Sequence, residues 1–410
     1  MNTVQKRLSV VGITVLLISF ASVPMYSQTL SAGERLVFYL DSNSHVHALF
    51  APSGSGWTDV DINVTSDEVP VAAAGSALTS FVDNSDVIHV YYLETSRQIE
   101  ELDISGINSF GFVGSFGSPT SLSGAPLAVA GSALTAFVDP SSGSSNITHL
   151  FYLGTNGTNE NVYEVYLSAG VYHFDDPTTL ARGPVATSGS ALTSFIDAGV
   201  MHVFYLGTND NVYELYWNGG TAWHSDDPTS LGGAPIAQTV GSLTSFVDGG
   251  GTMHVFYLSG NNVHELYWNG GSAWHTDDPT TLAGAPLNAT GSALTSFFTC
   301  CGEDPGMHIM YLGTNEHVYA ISSTSLTSWG SFDATGVSGD VLAANGSKLT
   351  SFQDTLTEGS RLYFTGNNDH IYELYWPFEG SASETDLTVA SSSGATAASG
   401  TSLSGVMEPN

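Results

Sequence analysis

One heptapeptide recurs along the chain and limits its fold more than any other feature. GSALTSF begins at Gly189, and relatives begin at Gly75, Gly131, Gly241, Gly291 and Gly346. A second element of the HVFYL type follows each copy, led by His89, His149, His202, His254, His308 or Arg361. A third element is typified by NVYELYW from Asn211. A fourth opens at an aromatic such as Trp223 or Trp274 and runs into DDPTSL and GGAP. Each element is short and rich in Val, Phe, Tyr, Leu and Thr, with Gly, Asn, Asp and Pro between them. That pattern predicts strands joined by tight turns. No stretch beyond the N-terminal segment shows a sustained helical period. Four antiparallel strands in a repeat of about fifty-five residues predict an all-β propeller.

Counting copies predicts seven blades. RLVFYL at Arg35 and HVHALF at His45 are a further copy of the second and third elements, but that copy lacks its own GSALTSF strand. GTSLSGV at Gly400 can supply it. Residues 400–406 are therefore expected to complete blade one and close the ring, which removes an exposed sheet edge. The alternative is six blades with frayed ends, in which the low-complexity VASSSGATAASG stretch is part of a tail.

Residues 1–27 read as a signal peptide: Lys6 and Arg7 precede an apolar run over residues 8–23, and Pro24 follows. An uncleaved anchor is the alternative. The propeller is expected over residues 31–407, and the protein outside the cell or in a periplasm. The net charge of −32 excludes nucleic acid and anionic membrane surfaces as partners, and no membrane association is expected after cleavage. Only 11% of residues are charged, so hydroxyls and amides dominate the polar surface, which suits neutral polar ligands. Cys300 and Cys301 are adjacent and cannot form a disulfide framework; they are either a vicinal disulfide or two loop thiols.

The second and third elements carry a recurring polar pair. His202 and Glu214 lie twelve positions apart across a hairpin, as do His89 with Glu101 and Arg361 with Glu373. His149 with Glu164 has a longer loop, and His254 with Glu265 a shorter one. Placing His202 directly opposite Glu214 puts Phe204 opposite Val212, with imidazole and carboxylate on one face. The sixth copy has His308 but Ala320; the first has Leu36 and Ala48, with Arg35 one position away. The aromatic opening the fourth element is Tyr172, Trp223, Trp274, Trp329 or Trp57. A cation or imidazole, a carboxylate and an aromatic face suit a sugar. The same groups also serve as self-satisfied pairs and packing within a scaffold.

The repeat resembles that of the fungal fucose-specific lectins and their bacterial relatives. The resemblance implies a six- or seven-bladed propeller in which an Arg and a Glu of one blade bond the sugar and an aromatic of the next covers it. Carried over by position, it implies His89 and Glu101 with Tyr172, His149 and Glu164 with Trp223, and His202 and Glu214 with Trp274. It further implies His254 and Glu265 with Trp329, and Arg361 and Glu373 with Trp57 across the closure seam. Arg361 is the one family-like Arg at its position, so the seam is expected to be the most competent site. His cannot offer the guanidinium fork, so the other sites are expected to be weaker or to prefer other sugars. The expected function is a secreted lectin with glycan partners and several inter-blade sites.

Two other classes remain. HxDDP at His173, His224 and His275 could hold a cation, but Asp capping backbone amides after strand four is the simpler reading. No metal, cofactor or catalytic residue is expected, because a glycosidase would need one asymmetric carboxylate set and the carboxylates here follow the repeat. A non-catalytic scaffold for protein interaction at the cell surface is the alternative to the lectin.

Overall fold

The computed structural model describes residues 33–407, except 52–55, 66–68, 109–110, 221, 240, 272, 300–305, 325–327, 340, 355, 378–380 and 393–394. The expected signal peptide and the Cys300–Cys301 pair lie outside the described residues. The chain forms seven four-stranded antiparallel sheets. Blades two to seven run in sequence order, over residues 78–117, 134–175, 192–226, 243–277, 294–333 and 349–386. Blade one takes three strands from residues 35–61 and its fourth from Ser404–Met407, which pairs with Arg35–Leu40. Seven blades with C-terminal closure are as expected.

The heptapeptide strands line the axis, each beside the next, and Ser404–Met407 lies between those of blades seven and two. Their hydroxyls explain the conserved spelling of the repeat. Thr135 bonds Ser194, Thr193 bonds Ser245, Thr244 bonds Ser296 and Thr295 bonds Ser351, at 2.7–2.8 Å. Ser80 and Ser404 make the same link at 2.7 Å across the C-terminal strand. The earlier Ser of the motif in blades two, three, four, six and seven satisfies a buried amide of strand two, as Ser190 does for Leu206 N at 2.8 Å. Thr401 does this for Leu40 N at 2.9 Å, so the C-terminal segment reproduces the motif's function.

Apolar cores sit between blades. Leu206 and Val212 of blade four pack with Val255, Tyr257 and Leu266 of blade five. Tyr363 and Ile371 of blade seven pack with Val37, Tyr39 and Leu49 of blade one. Tyr92, Tyr152, Tyr205, Tyr257 and Tyr311 of the second strands are buried but send their hydroxyls to proline carbonyls of the inter-blade loops, as Tyr257 does to Pro235 O at 2.7 Å. The DDP segments open one-turn helices such as Pro228–Gly232, where Asp227 accepts from Ser230 N. The capping role expected for these aspartates is what the structure has.

Candidate functional site

The polar pairs meet, but in a different register from the expected one. In blade four, Leu206 faces Val212, Phe204 faces Glu214 and His202 faces Tyr216. The pairing is displaced by two positions because the hairpin is longer. Gly207 N bonds Asn211 O and Asp210 N bonds Gly207 O, with Asp210 at φ 60°. A slip of two keeps every side chain on its face. His202 therefore reaches Glu214 diagonally, Nδ1 to Oε1 at 2.5 Å. His149 reaches Glu164 at 2.6 Å, His254 reaches Glu265 at 2.5 Å and His89 reaches Glu101 at 2.8 Å. Arg361 Nη1 donates to Glu373 at 2.7 Å.

These pairs form the floors of the junctions. Glu164, Glu214 and Glu265 are 2%, 3% and 0% exposed. Burial raises their carboxyl pKa values, and the imidazole hydrogen bond only partly offsets it. Each carried-over aromatic lies across the expected junction. Trp223 meets Phe151 edge-on at 6.0 Å, Trp274 meets Phe204 at 5.9 Å and Trp329 meets Phe256 at 6.4 Å. Trp57 meets Tyr363 at 6.3 Å, and the Tyr172 hydroxyl donates to Glu101. Trp223 and Trp274 are both 5% exposed, so they fill their junctions more than they present a face.

Among the described residues, two junctions open into cavities walled by tryptophan. The one between blades three and four, of about 280 Å³, is lined by Asp139, His149, Glu164, Tyr166 and Asp175 from one blade and Met201, Trp217 and Trp223 from the next. The one between blades four and five, of about 500 Å³, is lined by Asp197, His202, Glu214, Tyr216 and Asp226, then Met253, Trp268 and Trp274. Trp217 and Trp268 are half-buried and hang from the ends of third strands. The sequence reading missed them, along with Tyr166, Tyr216, Asp175 and Asp226. The period of two from Glu214 to Tyr216 was the available signal. Asp226 needed the register, in which it faces Glu214.

The remaining junctions differ. At the seam, Arg361 donates to Asp354 from Nε at 2.8 Å as well as to Glu373. Tyr363 also donates to Glu373, at 2.8 Å. Arg35 of blade one reaches across to Glu373 at 3.0 Å, with its guanidinium carbon 5.0 Å from the centre of Trp57. Thus Arg361, Glu373 and Trp57 do come together, with Arg35 between them. In blade six, His308 lacks a carboxylate, and burial pulls its pKa down to about 4. In blade one, Leu36 and Ala48 are both buried and apolar at the corresponding positions. In blade two, burial opposes the charged form of His89, but the surrounding carboxylates of Asp103, Asp83 and Glu101 outweigh it and raise its pKa to about 11.

No protein-family profile matches the chain, and no curated protein sequence matches it. Solved structures do. The BP39L lectin from Burkholderia pseudomallei superposes with a TM-score of 0.67 at 14% identity, over 87% of this chain and 95% of the lectin. AofleA from Arthrobotrys oligospora gives 0.53 at 15% identity, over 76% and 86%. The fucose-specific lectin from Aleuria aurantia gives 0.50 at 14% identity, over 77% and 96%. At such identities the likeness establishes a shared propeller fold.

Proposed function

We propose that the protein is a non-catalytic, secreted carbohydrate-binding protein that takes neutral sugars at the open junctions between blades. The observation that carries this reading is the repeated donor, acceptor and aromatic set around the two cavities. Tyr216, Asp226 and the His202–Glu214 floor would order hydroxyls, and Trp268 would cover an apolar sugar face. The fold shared with lectins, one of them named as fucose-specific, supports the same class. Fucose is the first sugar to try. Equivalent sites on a rigid ring would add through avidity on a multivalent glycan. The seam is assigned a structural part, because Arg35 already meets both Glu373 and Trp57.

A specific observation favours the scaffold reading as second. The His–Glu pairs are buried and bond each other, as a self-satisfied joint would. A glycan array with the mature protein separates the two. The lectin reading predicts binding to a restricted set of glycans; binding to none would leave the interaction scaffold.

A further inference from the structure

Opposite the leading His or Arg of strand two, blades three, four, five and seven place a tyrosine: Tyr166, Tyr216, Tyr267 or Tyr375. Blade two breaks this rule, with Asp103 opposite His89. His89 Nδ1 consequently lies 2.8 Å from Glu101 Oε1 and 2.9 Å from Asp103 Oδ1. One N–H cannot be well aligned to both. Asp103 Oδ1 is a buried atom with no hydrogen-bond partner, and so are His89 Nε2 and Asn146 Oδ1. All three residues line one cavity of about 540 Å³ between blades two and three. His89 itself is only 6% exposed. Asp83 Oδ2 adds a third carboxylate, 3.4 Å from Nε2. Even a fully protonated imidazole leaves negative charge in surplus here, which is costly away from water.

We propose that His89, Glu101 and Asp103 form a binding site for a divalent transition-metal cation such as Zn²⁺ or Mn²⁺. This goes beyond the sugar-binding reading and departs from the expectation of no metal. The donor atoms lie within 4.8 Å of one another. Separations of 2.8 and 2.9 Å suit neighbouring corners of an octahedron with bonds of about 2.1 Å. One imidazole and two carboxylates are the mixed donor set such ions accept. The metal would replace the Nδ1 proton, leaving Nε2–H for Asp83. Ser115 donates to Asp103 Oδ2 at 2.9 Å and holds that carboxylate in place. The cavity leaves room for water to complete the coordination.

The test is calorimetric titration of Zn²⁺ into the tag-free mature protein after chelator treatment. The variants are Asp103→Asn, Asp103→Tyr and Asp369→Asn. Asp103→Asn keeps the shape, Asp103→Tyr restores the residue of the other blades, and Asp369→Asn removes an exposed acid elsewhere. The proposal predicts one Zn²⁺ per chain for wild type and Asp369→Asn. Affinity should fall at least about tenfold in Asp103→Asn and vanish in Asp103→Tyr. No stoichiometric uptake by wild type would overturn it. Equal uptake by all four proteins would also overturn it, by assigning the ions to the acidic surface as a whole. Asp103→Asn decides the matter if Asp103→Tyr does not fold. Metal uptake is read without any sugar, so a blank glycan array would leave this result standing.

Discussion

The junction between blades four and five and the seam between blades seven and one share a register, yet one is a cavity and the other a packed ionic joint. In both, the leading residue of strand two reaches a glutamate two positions out of line: His202 to Glu214, Arg361 to Glu373. The residue that differs most comes from the following blade. Met253 lines the open junction, and Arg35 stands at the corresponding place in the seam. Arg35 bonds the carboxylate and lies against Trp57, between the two groups that the proposed sugar reading would use there. One scaffold therefore supports either an open cavity or a structural lock, according to what the next blade inserts. The lock falls where the ring is closed by non-covalent contacts between chain ends, which is where a propeller most needs reinforcement.

The largest effect should come from removing the C-terminal strand that completes blade one. Truncation after Thr388 deletes Ser404–Met407 and exposes the edge of blade one. The melting temperature should drop by more than about 10 °C, several kcal/mol for a chain of this size. Unchanged melting would mean the seam does not hold the ring. Next is the same substitution at both junctions. Glu373→Gln leaves Arg361 and Arg35 short of a buried carboxylate and should cost about 3 kcal/mol. Glu214→Gln keeps an acceptor for His202 while removing a desolvated charge, and should cost less than about 1 kcal/mol at neutral pH. Urea denaturation measures both, and equal costs would erase the distinction.

The two junctions should also respond oppositely to pH. Burial raises the Glu214 pKa above 4.5, so its contribution is greatest below 4.5 and is lost as pH rises through the folded value. Burial also acts against Asp354, but the bond and charge of Arg361 outweigh it and lower its pKa below 3.8. Its contribution is present above 3.8 and is lost as pH falls through the folded value. Stability measured against pH should lose its decline above 4.5 in part in Glu214→Gln, and its acid-side decline in part in Asp354→Asn. The smallest effect is expected from Arg35→Met, which gives the seam the residue found at Met253. Arg35 is partly exposed and should cost no more than about 1 kcal/mol, yet the change should open the seam to a sugar.

Much of this architecture was legible in the chain. Blade number and closure followed from counting elements, because turn residues and alternating apolar strands recur with little disguise. The role of Thr401 could be anticipated because GTSLSGV keeps hydroxyls at the second and fifth positions of GSALTSF. The faces of His202 and Glu214 were legible from the period of two, but their register was not. Register depends on the left-handed Asp210, and a polar loop does not announce how many residues it spends in the turn. The plugging of the seam was hidden for a different reason. Arg35 sits one position off the repeat's polar site, and its partner Glu373 lies at the far end of the chain. Trp217 and Trp268 were missed because only the closed ring makes them walls of a neighbour's cavity.

The central claim is that the open junctions bind and the seam does not. Methyl α-L-fucoside and a panel of other methyl glycosides should be titrated by calorimetry into wild type, Trp57→Ala and the double variant Trp217→Ala/Trp268→Ala. The account predicts that wild type and Trp57→Ala bind the same sugar with the same stoichiometry, while the double variant, still folded, loses most of that binding. Loss in Trp57→Ala with retention in the double variant would contradict it.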